Sequence, residues 1–124
     1  MNIGTEIWSG NMSKRILVVD DDAMSLKMSA FVLQKFCDVI TAQSGEECME
    51  LLENETVDGI LLDVEMPGMN GYETLAAIRR EQRFEDIPVV FLTGTDGVDG
   101  GHKYIQKPMR PAEAQKMLQQ EFGV

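Results

Sequence analysis

The chain runs to 124 residues, with 11 Lys and Arg against 21 Asp and Glu, a formal charge of −10. That length holds one domain around one core, so no separate output module is expected within it. The acidity works against binding nucleic acid or an anionic membrane surface, both polyanions, and 44% hydrophobic residues make the chain too apolar to stay disordered.

Residues 1–12 are polar and Gly-containing, with Ile3, Ile7 and Trp8 as isolated apolar groups. They are expected to be a disordered tail, and 13–124 the folded domain. No basic patch followed by an apolar stretch opens the chain. The longest apolar runs, such as 87–92 with Pro88 inside, are too short to span a bilayer, so a cytoplasmic location is expected. Cys37 and Cys48 form no CxxC pair and read as reduced core or near-core residues.

From Arg15 onward, short β-branched apolar runs alternate with segments of helical spacing, the pattern of βαβ units on a parallel sheet. Strands are expected at 16–19, 38–41, 59–62, 89–92 and 103–106. Three of them are nearly all apolar, as strands covered on both faces are. Leu26, Ala30 and Leu33 make one helical stripe. Cys48, Leu51 and Leu52 make a second, behind a capping box of Ser44 and Glu47. A third helix runs over about 71–80. A last one starts near Pro111 and buries Ala114, Met117, Leu118 and Phe122. The fold class is therefore α/β, a doubly wound, flavodoxin-like sheet of five parallel strands.

Right-handed crossovers put all strand C-termini along one edge of such a sheet, where ligands bind. Strand one ends in Asp20, Asp21 and Asp22, strand three in Asp63, strand four in Thr93, and strand five leads into Lys107 and Pro108. Carboxylates brought that close repel unless some are protonated or a cation joins them. An all-oxygen set suits Mg²⁺, which takes few carboxylates directly and leaves positions open for a phosphoryl group. Lys107 and Thr93 are the charge and the hydroxyl that would hold the remaining phosphoryl oxygens. With His102 as the one histidine, in a Gly-rich loop, no Ser/His/Asp triad can form. The carboxylate is then nucleophile or ligand.

These residues resemble the receiver domains of two-component response regulators, the single-domain chemotaxis regulator among them. The resemblance covers about 14–122 and rests on ILVVDDD at 16–22, LLDVEMPGMNGYE at 61–73, VVFLTG at 89–94 and YIQKP at 104–108, in that order and at strand ends. It implies that Asp63 accepts a phosphoryl group from a histidine kinase or a phosphotransfer protein. It implies that Asp21, Asp63 and the backbone carbonyl of Glu65 bind Mg²⁺, with Asp20 holding a metal-bound water. Thr93 would move to a phosphoryl oxygen, Lys107 would pair with another, and Tyr104 would turn inward as Thr93 shifts. A cis Lys107–Pro108 bond is expected, and Asp22 falls outside the ligand set as a helix N-cap.

One segment departs from the family. Nine residues, 94–102, join strand four to strand five, and four of them are glycines (94, 97, 100 and 101). A crossover with its helix needs at least about 10 to 12 residues. The helix that typical members carry there is expected to be absent or cut to a single turn, replaced by a largely extended, mobile loop. Phosphorylation is then expected to act by ordering 94–101, with partner specificity on the first and last helices or on the loop. Met66, Met69 and Met109 near the active edge are candidates for an adaptable contact patch, and His102 reads as an ordinary loop histidine.

Two other classes fit the architecture. An Asp-nucleophile phosphatase would carry a second aspartate two residues after Asp63, where Glu65 stands. A flavin or nucleotide module would carry a glycine-rich phosphate cradle after strand one, where three aspartates repel phosphate. Within the receiver reading, an adaptor, a phosphorelay intermediate and a phosphate sink fit equally.

Overall fold

The computed structural model describes residues 14–124, so the expected tail over 1–12, with Trp8, lies outside the described residues. Five parallel strands form one sheet: β1 (Arg15–Val19), β2 (Asp38–Ala42), β3 (Gly59–Asp63), β4 (Val89–Thr93) and β5 (Tyr104–Gln106), in the order β2-β1-β3-β4-β5. That is the expected doubly wound sheet, with each expected strand boundary within one residue. Four helices flank it: α1 (Ala23–Leu33), α2 (Gly45–Asn54), α3 (Gly71–Arg80) and α4 (Pro111–Met117), the last continuing as a wider π-type turn over Leu118–Phe122. No described helix is long and apolar enough to cross a membrane.

Alternation along the strands divides the core. Ile16, Val18, Leu61, Val90 and Leu92 face one layer with Leu26 and Leu33 of α1 and with Ala114, Met117, Leu118 and Phe122 at the chain's end. Leu17, Val19, Ile60, Leu62 and Phe91 face the other, with Cys48 and Leu52 of α2 and Ile78 of α3. Leu51, expected in that stripe, is only half-buried. The helix starts are set by polar side chains. Asp22 accepts the Ser25 N–H at 3.0 Å, as expected. Ser44 accepts the Glu47 N–H at 3.0 Å, but the Glu47 carboxylate reaches the Gln43 N–H at 2.8 Å, one residue before the expected partner of a capping box. The full capping box lies at α3, between Asn70 and Glu73. Cys37 and Cys48 are free and buried, and burial pushes both thiols up to about 12.

Between β4 and β5 the chain makes a single 3₁₀ turn, Asp99–Gly101, and no longer helix. The length argument therefore holds.

Candidate functional site at the carboxyl edge of the sheet

The strand order changes direction between β1 and β3, and the acidic residues stand at that switch point. Val19 is in register with Leu62, so Asp20, the next residue on one strand, comes beside Asp63 at the end of the other. The helix that follows β3 can come this close because residue 71 is glycine: a Cβ there would lie 2.4 Å from the Asp63 carbonyl oxygen. On the other flank the Lys107 N–H bonds the Thr93 carbonyl at 2.8 Å, which carries the lysine to the same edge. The Lys107–Pro108 peptide bond is cis, as expected.

Asp20, Asp21 and Asp63 each present a carboxylate oxygen, all within 4.8 Å of one another. Asp20 and Asp63 are buried and Asp21 is exposed. Lys107 Nζ lies 3.1 Å from Asp20 Oδ2 and 3.5 Å from Asp63 Oδ1. Thr93 is buried at the rim, its hydroxyl 2.9 Å from that of Thr95. These five residues line one cavity of about 210 Å³ with Asp22, Val64, Glu65, Gly94 and Thr95. Every residue expected to act at this edge lines the cavity except Tyr104.

The charges do not balance. Burial pushes the Asp63 carboxyl up to about 7, and the neighbouring Asp20 charge adds to it against the pull of Lys107. Burial works on Asp20 the same way, but the Asp22 N–H, Ser25 and Lys107 outweigh it and hold that carboxyl below its usual range. Lys107, although desolvated, is held charged by Asp20 and Asp63. One ammonium thus faces three carboxylates, and the strain falls on Asp63. A hard divalent cation fits this oxygen set and would remove the conflict.

A family model described as the response regulator receiver domain matches residues 16–119. The chain belongs to the response regulator receiver family. Among curated relatives, a chemotaxis protein CheY homolog of Campylobacter jejuni is 32% identical over 120 residues, covering 88% of this chain and 92% of that protein. A probable cyclic di-GMP phosphodiesterase of Vibrio cholerae is 33% identical over 102 residues, 76% of this chain but 23% of its own length. The receiver thus spans almost all of one relative and a minor part of another. Among solved structures, chemotaxis protein CheY4 of Vibrio cholerae superposes with a TM-score of 0.81 at 28% identity, covering 88% of this chain and 98% of that one. The receiver domain of sensor histidine kinase PA1611 of Pseudomonas aeruginosa, with a magnesium ion coordinated in its active site cleft, gives 0.81 at 25% identity, covering 90% and 99%.

Several residues of this receiver sit differently from their expected places. Met66 and Met109 are buried and Met69 is half-buried, so they chiefly fill space under the site and form no exposed patch of their own. Among the described residues, the most exposed large apolar side chains are on α1: Met24 at 65%, Met28 at 53% and Phe31 at 62%. They border a groove of about 570 Å³ that ends at Lys107, Pro108 and Met109. Their spacing of four and three residues was legible as one helical face, but a stripe of that kind ordinarily reads as core. Tyr104, expected to turn inward only as Thr93 shifts, points outward here, 42% exposed, with its hydroxyl donating to Asp96 at 3.2 Å. His102 is no ordinary loop histidine: its ring meets Phe91 edge-on at 5.2 Å.

Proposed function

We propose that Asp63 is the phosphoacceptor of this receiver, phosphorylated in a Mg²⁺-dependent reaction by a phosphohistidine on a histidine kinase or phosphotransfer protein. The observation that carries this reading is the meeting of Asp63, Asp20, Asp21 and Lys107 in one cavity, with the charge conflict resting on Asp63. Asp21, Asp63 and the Glu65 carbonyl would hold the metal, and Asp20 would hold one of its waters. When bound, Mg²⁺ neutralises the carboxylates and draws charge from the phosphoryl oxygens. An Asp63 carboxylate oxygen attacks phosphorus, the P–N bond of the donor breaks, and its electron pair returns to the imidazole nitrogen, which takes a proton from solvent. Lys107 pairs with one phosphoryl oxygen and Thr93 donates to another. The apolar α1 face beside Pro108 favours a protein donor over a free phosphate ester, since hydrophobic anchors stand within reach of the acceptor. Such donors place the reaction in the cytoplasm, and the product is a signalling state of the receiver.

Incubation with acetyl phosphate and Mg²⁺ tests the reading by intact mass. The wild type gains one phosphoryl group, and Asp63→Asn or a chelated sample gains none. A chromogenic phosphate ester is not turned over. Labelling that persists in Asp63→Asn, or without divalent metal, would overturn the assignment.

A further inference from the structure

The missing helix should leave Phe91 bare, yet Phe91 is fully buried. Two rings stand against it. The Tyr72 ring of α3 lies 5.1 Å away, the His102 ring 5.2 Å away and edge-on, and half-buried Val98 packs into the same cluster. The connection 94–102 is also tied down along its length. The Asp99 N–H donates to the Tyr72 hydroxyl at 2.8 Å, and the Tyr104 hydroxyl donates to Asp96 at 3.2 Å. At its start, Thr95 gives its N–H to the Thr93 hydroxyl at 3.0 Å, and the two hydroxyls share a bond at 2.9 Å. Gly100 closes the arrangement at φ +77°, where a Cβ would press on His102 Nε2 at 3.2 Å. The segment is thus held at several points along its length.

It enters the cavity directly: Gly94 and Thr95 line the wall beside Thr93. A Thr93 hydroxyl that turns to a phosphoryl oxygen on Asp63 gives up its arrangement with Thr95, and the first tie of the connection goes with it. We propose that 94–102 is a clasp over Phe91 with Tyr72 and His102 as its catches, opened when Thr93 leaves Thr95. This rests on Asp63 being the phosphoacceptor. The output is an uncovered apolar surface of Phe91, Tyr72 and Val98 in place of a moved helix. Coupling of this kind is reciprocal: whatever loosens the clasp must tighten binding at Asp63 by no more than the same factor.

The full chain contains a single histidine, so its imidazole resonances belong to His102 and carry the ring-current shift of Phe91 and Tyr72. Beryllofluoride with Mg²⁺ serves as the phosphoryl mimic. The expected result is that Asp63 and Thr93 amides shift, the His102 ring resonances move toward free-imidazole positions, and exchange at the Asp99 amide quickens. Shifts at Asp63 and Thr93 with His102 and Asp99 unmoved would overturn the clasp and leave the phosphoacceptor standing. No shift at Asp63 or Thr93 would remove both. Tyr72→Phe keeps the ring and deletes one catch. It should speed Asp99 exchange about two- to tenfold without the mimic, and tighten beryllofluoride binding by up to that factor. Faster exchange with unchanged affinity would show a loop that is merely tied down and not coupled.

Discussion

The two faces of the sheet are closed by different means. On one, α1 and α4 lie against β1, β3 and β4, and mostly aliphatic side chains pack with Phe122 in one layer. On the other, α2 and α3 cover β1 and β3, but over Phe91 of β4 stand the rings of Tyr72 and His102, with Val98 packed into the same cluster and no helix from the β4–β5 connection. The difference teaches what a surface helix contributes at that position. It supplies apolar area over one aromatic residue, and a glycine-rich connection can supply that area if an aromatic from α3 meets it halfway. The substitute hangs on side-chain hydrogen bonds and not on a helical backbone ladder, so this face can give way locally while the other cannot.

Neighbouring residues on β4 put that contrast to its hardest test. Phe91 and Leu92 are both fully buried and point to opposite faces. If the clasp packs as densely as the helical face, Phe91→Ala costs about 3–5 kcal/mol and Leu92→Ala about 2–5 kcal/mol in denaturant unfolding. A cost for Phe91→Ala below about 1 kcal/mol would mean that the cavity collapses and the clasp is a loose cover.

The contrast also explains what could be read in advance. Strands, helices and the acidic edge were legible because each rests on local pattern: apolar runs ending in Asp20, Asp63 and Thr93, and the Pro111 and Asp22 helix starts. The absence of a helix between β4 and β5 followed from chain length alone. Its replacement did not, because the contact of His102 with Phe91 and the bond from Asp99 to Tyr72 join residues far apart in sequence that carry no shared pattern. Met66 and Met109 were misplaced for a related reason. Position near an edge says nothing about which way a loop side chain turns, and these turn into the core.

The rim where β1 meets β3 is governed by charge, and pH separates it from the packing on either face. Asp63 in the folded protein titrates at about 7, well above its ordinary 3.8. A carboxyl raised in this way contributes stability below its ordinary value and loses it as pH rises through the folded one. Asp20, held low, contributes above its ordinary value and loses that only as pH falls. Metal-free protein should therefore lose stability between about pH 4 and 7 as Asp63 ionises against Asp20. Mg²⁺ binding the ionised form reverses this: at a hundredfold excess over its Kd it adds about 2.7 kcal/mol. Thermal melts should show a larger Mg²⁺ shift at pH 8 than at pH 5.5, and none in Asp63→Asn at either pH. An equal shift at both values would place the ion away from Asp63.

The smallest expected effect lies at the far end of the clasp, on β5. Tyr104 is exposed and its bond to Asp96 competes with water, so removing that bond should leave the melting temperature where it was. The titration of the phenol is the sensitive readout. Asp96 sits against the hydroxyl, and its charge, with the hydrogen bond, raises the Tyr104 phenol above its ordinary range. In Asp96→Asn the charge is gone, and spectrophotometric titration should find the Tyr104 transition moved down from its wild-type position. An unchanged transition would mean that Asp96 does not stay on Tyr104 in solution. The connection would then be held by Thr95, Tyr72 and His102 alone, and opening it would require no rearrangement at β5.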